Sequence, residues 1–167
     1  MEITLDMLLA SRENRWKFQR QLIQESPGLP LVCLTVIMPG NVKRNDQSLI
    51  VAKAAIQALK EKFGQQICRM EECDLETGYE AYFLIQLPML ETKRVTCEIE
   101  DTHPLGRLFD IDVIDLDGTP VARAAIGKEG RRCLLCDHEA RYCMRNHTHS
   151  REELQQKIQQ MIDAYAQ

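Results

Sequence analysis

Asp110 and Asp112 stand two residues apart in the stretch His103-Pro104-Leu105-Gly106-Arg107-Leu108-Phe109-Asp110-Ile111-Asp112-Val113. After Gly106 the stretch alternates like a strand, with Phe109, Ile111 and Val113 on one face and the two aspartates on the other. Two carboxylates so placed repel, and an unpartnered pair raises one pKa. A divalent cation or an arginine keeps both ionised. The arrangement suits Mg²⁺ holding a polyphosphate, although a strand with one solvated face shows the same spacing. Gly106 permits close backbone approach, Arg107 offers a fork for phosphate, and Glu98 and Glu100 are expected on a preceding strand as a third carboxylate.

A second cluster is built from Cys133, Cys136, Cys143 and His149, a C-x2-C-x6-C-x5-H pattern with the ligand types of a closed tetrahedral Zn²⁺ site. The competing reading places small thiols in a core, with Leu134, Leu135 and Ala140 as buried helix residues. Arg131, Arg132, Arg141 and Arg145 surround the cluster and offer guanidinium groups to a phosphorylated ligand or an acidic partner, or simply a solvated face.

These groups need a scaffold, and the 167 residues suit a single domain, residues 1–167, with 44% hydrophobic residues to fill a core. Apolar spacing predicts a helix from Thr4 to about Glu25, stopped at Ser26-Pro27-Gly28. Leu31 to Met38 reads as a buried strand, followed by the polar loop Asn41-Val42-Lys43-Arg44-Asn45. Asp46 is expected to cap a helix running to Phe63, with Gly64 as its exit. Strands are expected near Ile67–Cys73, Ala81–Leu87, Val95–Glu100 and Arg107–Leu116, the last ending at the turn Asp117-Gly118. Ser150 and Glu153 stand at capping-box spacing before a final amphipathic helix carrying Leu154, Ile158, Met161 and Ile162. The expected class is α+β, a mixed β-sheet with flanking helices.

The net charge of −4 disfavours a general nucleic-acid surface while leaving room for a local anion site. No apolar run approaches the roughly 20 residues of a membrane span, and nothing in Met1-Glu2-Ile3-Thr4-Leu5-Asp6 addresses the chain outward. Seven cysteines without a secretion signal read as thiols or metal ligands rather than disulfides, so a cytoplasmic location is expected.

Taken together, four stretches resemble the apo-citrate lyase phosphoribosyl-dephospho-CoA transferases, the holo-acyl-carrier-protein synthases of citrate lyase. They are Leu8 to Arg15, Thr35 to Lys43, His103 to Val113, and Arg132 to Cys136 with Cys143, Arg145 and His149. The third is similar to the family signature almost letter for letter. Phe109 stands where the family has tryptophan, and Ala122 stands before Arg123 where the family pattern has serine.

The resemblance implies a nucleotidyltransferase-like fold and a reaction on triphosphoribosyl-dephospho-CoA. A serine of the apo acyl carrier protein, the gamma subunit of citrate lyase, attacks the donor, forms a phosphodiester and releases diphosphate. It further implies that Asp110 and Asp112 hold Mg²⁺, that Arg107 and Lys43 neutralise the departing diphosphate, and that Arg12 and Arg15 serve the same polyphosphate. Arg123, Arg132 and Arg145 are candidates for substrate binding, and His103 for the base toward the serine. Two other readings stay open: a nucleotidyltransferase with a different acceptor, and a non-catalytic binding module stabilised by zinc.

Overall fold

The computed structural model describes all residues, Met1–Gln167. Helix α1 (Leu5–Glu25) starts at Thr4, whose side chain caps the Met7 N–H. Strand β1 (Leu31–Val36) leads through the Met38–Arg44 loop into α2 (Asp46–Phe63). The cap of α2 is Asn45 rather than Asp46. Its side chain accepts from the Ser48 N–H at 2.8 Å, and the Ser48 hydroxyl accepts from the Asn45 N–H at 2.9 Å. Gly64 closes α2 with a positive φ of 53°, as the exit at this residue requires.

Strands β2 (Ile67–Leu75) and β3 (Gly78–Ile85) form a hairpin, and helix α3 (Met89–Thr102) follows where Val95–Glu100 suggests a strand. The buried stripe of α3 is Thr92, Lys93, Thr96, Cys97, Ile99 and Glu100, at helical spacing. Only Ile99 in that stripe is a large aliphatic residue, so hydrophobicity hides the period. Strand β4 (Phe109–Ile114) comes next, then the short helix α4 (Ala140–Asn146) and the terminal α5 (Arg151–Ala166). The expected capping box of α5 is present, with Ser150 accepting from the Glu153 N–H and Glu153 from the Ser150 N–H.

The sheet order is β2-β3-β1-β4, and all three pairings are antiparallel. The α+β class holds, and the mixed sheet is corrected to an antiparallel one. One sheet face, with Val32, Leu34, Phe83, Phe109, Ile111 and Val113, packs under α2 and α5 in the main core. The other face meets α1 through Leu22, Ile23, Leu31, Cys33, Tyr82, Leu84 and Ile114. Helix α3 lies along the free edge of β4, where Glu100 reaches the strand backbone. No helix is long and apolar enough to cross a membrane.

Candidate functional site

The expected alternation in β4 is observed: Phe109, Ile111 and Val113 are buried, and Asp110 and Asp112 point to the α1 face. Antiparallel register aligns polar rows across that face. Asp110 sits opposite Thr35, which sits opposite Glu80; Asp112 sits opposite Cys33, which sits opposite Tyr82. The Thr35 hydroxyl donates to Asp110 Oδ2 at 3.2 Å. Burial, reinforced by the Asp110 charge, pushes the Asp112 pKa up to about 6, while Lys93 and Arg15 act in the opposite direction. Arg15, from α1, pairs with the buried Glu80 at 2.9 Å, and Glu80 also accepts from the Tyr82 hydroxyl. The result is a half-buried pair of carboxylates with incomplete charge compensation, which fits a divalent cation.

A groove of about 510 Å³ opens between α1 and the β2–β3 hairpin, lined in part by Met7, Phe18, Leu75 and Tyr82. It shares Arg15 and Glu80 with the polar rows, so the groove and the aspartates lie on the same sheet face.

At the C-terminal end of β1, three cations converge from separate elements. Lys43 comes from the β1–α2 loop, Arg12 from α1 and Arg151 from the first turn of α5. Lys43 is half-buried and donates to the Met38 carbonyl at 2.5 Å. Burial lowers its pKa, and the charges of Arg151 and Arg12 lower it further. None of the three has an acidic partner among the ion pairs of the chain. Gly40, at φ 83°, leaves room for Arg151: a Cβ there would lie 2.0 Å from its Nη2. Unpaired cations gathered in this way could accept a polyvalent anion.

Arg123, Arg131 and Arg107 are engaged elsewhere. Glu100, almost fully buried, pairs with Arg123 at 2.9 Å and Arg131 at 3.2 Å and accepts the Ile111 N–H at 3.1 Å. Arg123 also pairs with Asp101 at 3.0 Å. Glu98, the other expected third carboxylate, lies in the exposed pair with Lys62. Both glutamates are on α3 rather than on a strand beside the aspartates, and neither completes the pair. Gly106 is buried against α3, where a Cβ would fall 2.3 Å from the Glu100 carbonyl oxygen. Arg107 donates to the Arg132 carbonyl rather than to either aspartate.

His103 is not brought to Asp110 and Asp112. Its Nδ1 accepts from the Leu105 N–H at 3.0 Å, and its ring packs against Phe109 and Tyr165, on the opposite side of the sheet. Arg132 and Arg145 are exposed.

The structure does bring Cys133, Cys136, Cys143 and His149 together, with one ligand atom from each lying within 4.8 Å of all the others. Cys136 Sγ is 3.4 Å from Cys143 Sγ and 3.4 Å from His149 Nε2. The Leu134–Leu135 segment is a bend rather than a buried helix, closed by Cys133 N–H to the His138 carbonyl at 2.7 Å. His147 adopts φ 48°, which turns the chain after α4 so that His149 returns to the thiols. This cluster can hold a metal such as zinc.

Lys93 and Arg151 escape the sequence reading. Lys93 lies between the expected strands Ala81–Leu87 and Val95–Glu100, and Arg151 acquires its neighbours only through the docking of α5.

The profile of the apo-citrate lyase phosphoribosyl-dephospho-CoA transferases matches residues 3–165. A probable apo-citrate lyase phosphoribosyl-dephospho-CoA transferase of Vibrio cholerae serotype O1 (strain M66-2) is 40% identical, over 99% of this chain and 95% of that protein. The apo-citrate lyase phosphoribosyl-dephospho-CoA transferase of Escherichia coli O1:K1 is 33% identical, over 96% of this chain and 89% of that protein. Protein CitXG of Haemophilus influenzae is 36% identical over 96% of this chain but only 35% of its own length. With a profile match over nearly its full length and such relatives, the chain belongs to the apo-citrate lyase phosphoribosyl-dephospho-CoA transferase family.

Proposed function

We propose that this protein transfers the phosphoribosyl-dephospho-CoA group from triphosphoribosyl-dephospho-CoA to a serine of the apo acyl carrier protein, the gamma subunit of citrate lyase, in the cytoplasm. The serine oxygen attacks the α-phosphorus of the donor. One oxygen–phosphorus bond forms, the bond to the β-phosphate bridging oxygen breaks, diphosphate leaves, and the hydroxyl proton is released to solvent. Family membership supports the reaction, and the single structural observation that carries it is the Asp110–Asp112 pair on the sheet face shared with Arg15.

Asp110 and Asp112 would hold Mg²⁺, which when bound supplies positive charge to the donor phosphates. Arg12, Lys43 and Arg151 take the charge that accumulates on the departing diphosphate, and their unpaired state in the free protein leaves them ready for it. Arg15 holds Glu80 beside the aspartates, and Lys93 moderates the charge of Asp112. The groove beside α1 accommodates the less polar arm of the donor. Arg123 and Gly106 serve by holding Glu100 and α3 against the edge of β4, Arg107 by tying the turn before β4 to Arg132, and His103 by shaping that turn. Arg132 and Arg145, exposed around the cysteine cluster, are offered to the carrier protein. Zn²⁺ is the ion assigned to Cys133, Cys136, Cys143 and His149.

Intact mass of the apo acyl carrier protein, measured after incubation with this protein, Mg²⁺ and donor, tests the reading. A gain equal to the phosphoribosyl-dephospho-CoA group, absent with Asp110→Asn, is expected. No gain with a folded enzyme and a competent acceptor would overturn the assignment and point to a different acceptor or to a binding module.

A further inference from the structure

The Cys/His cluster lies between two residues that serve the site from different sides. Arg131 is two residues before Cys133, and Arg151 is two residues after His149. Arg131 is held at the base of the cysteine turn by the Ala140 N–H donating to its carbonyl at 2.8 Å and by the bridge between Arg132 and Glu139. From there its guanidinium donates to the Phe109 carbonyl at 2.5 Å and the Gly106 carbonyl at 2.8 Å, and pairs with Glu100. Phe109 immediately precedes Asp110, so Arg131 fixes the start of the aspartate strand. On the other side, His149 precedes the α5 cap Ser150, and Arg151 lies against Gly40.

The ligand set favours one ion. Three thiolates and an imidazole form a soft, four-ligand tetrahedral set with no position left for substrate, which is the structural type of zinc site. The observed 3.4 Å separations suit ligands converging on one centre at zinc bond lengths of roughly 2.0–2.3 Å. The Leu135 N–H lies 3.4 Å from Cys133 Sγ, an orientation that supports a ligating thiolate. Apart from the contacts of Arg131 and Arg132 and the Lys128–Asp101 pair at 2.8 Å, the segment is loosely built: residues 127–139 contain no helix or strand of their own, and their side chains are exposed or half-buried.

We infer that a single zinc ion acts as a clasp, positioning Arg131 on the edge of β4 and Arg151 at the Gly40 loop, and so coupling the aspartate pair to the anion site. The inference rests on the zinc reading above and extends it from a local fold element to a positioning device for the transfer site.

The purified protein should contain one equivalent of zinc by mass spectrometric metal analysis, and cobalt substitution should give thiolate-to-metal charge-transfer absorption. His149→Cys should retain the metal, and His149→Ala should lose most of it. Hydrogen exchange of the full chain, before and after chelation, tests the clasp separately. Exchange should rise about tenfold or more in residues 106–112 and 149–154 while α2 and β3 stay protected. Zinc-free purified protein that cannot be loaded would overturn the zinc reading itself. Stoichiometric zinc whose removal changes exchange only within residues 131–149, or equally in every element, would leave the zinc reading standing and overturn the clasp.

Discussion

The Glu100 carboxylate accepts the backbone N–H of Ile111 at 3.1 Å, gripping β4 at the residue between its two aspartates. In an edge strand that N–H would otherwise face solvent or a further strand. Here a buried side chain from α3 replaces the missing strand, and Arg131 does the same for the Phe109 carbonyl. Two guanidiniums, Arg123 and Arg131, make burial of the Glu100 charge tolerable.

Removing that carboxylate should therefore be costly. Glu100→Ala leaves two largely buried guanidiniums without a shared acceptor and an orphaned N–H, a loss of about 3–5 kcal/mol. Glu100→Gln keeps an acceptor for Ile111 and should lose less. Urea unfolding midpoints in the order wild type, Gln, Ala are expected, and equal midpoints for the two variants would remove the backbone bond from the account.

Asp112 should oppose folding at neutral pH in the metal-free protein. Its folded pKa of about 6 exceeds its ordinary value of 3.8, so the folded state binds the proton more tightly and stability is lost as pH rises through that window. Asp112→Asn, which cannot ionise, should stabilise the metal-free protein by about 1–3 kcal/mol at pH 7.5 and have little effect at pH 4. Melting temperatures at the two pH values check the sign, and added Mg²⁺ should narrow the gap at pH 7.5 by stabilising only the wild type.

The aspartate pair was legible because apolar alternation in β4 has a period of two and its face assignment follows directly. The cysteine cluster was legible as ligand types, and its geometry awaited the turn at His147, which no local pattern signals. Helix α3 was misread because its buried face is Thr92, Lys93, Thr96, Cys97 and Glu100, whose packing is driven by polar partners on β4 and its neighbours rather than by aliphatic burial. That error hid Lys93. The direction of the sheet was hidden too, since the order β2-β3-β1-β4 depends on which strands meet across the core rather than on short connections alone. Arg12 and Lys43 were marked by resemblance, but Arg151 sits more than a hundred residues away from Gly40, and only folding joins them.

Lys93 gives a prediction that separates charge from packing. Its ammonium lowers the Asp112 pKa, so Lys93→Met, which keeps most of the buried stem, should move Asp112 upward. The acidic limb of the transfer rate against pH should shift to higher pH, with the alkaline plateau less affected. An unshifted limb would mean that Asp112 does not govern it.

Arg151 offers the sharpest test of the anion site. The three cations repel one another in the free protein, and burial together with that repulsion lowers the Lys43 pKa. Arg151→Gln should relieve it, leaving the unliganded protein at least as stable while weakening its hold on diphosphate by about tenfold, the equivalent of roughly 1.4 kcal/mol for one charge-assisted contact. Calorimetric titration with diphosphate, alongside product inhibition of transfer, measures both sides of that trade. Weaker diphosphate binding with an unchanged melting temperature would place Arg151 in the anion site. Unchanged binding would restrict the site to Arg12 and Lys43 and leave Arg151 as a packing residue against Gly40.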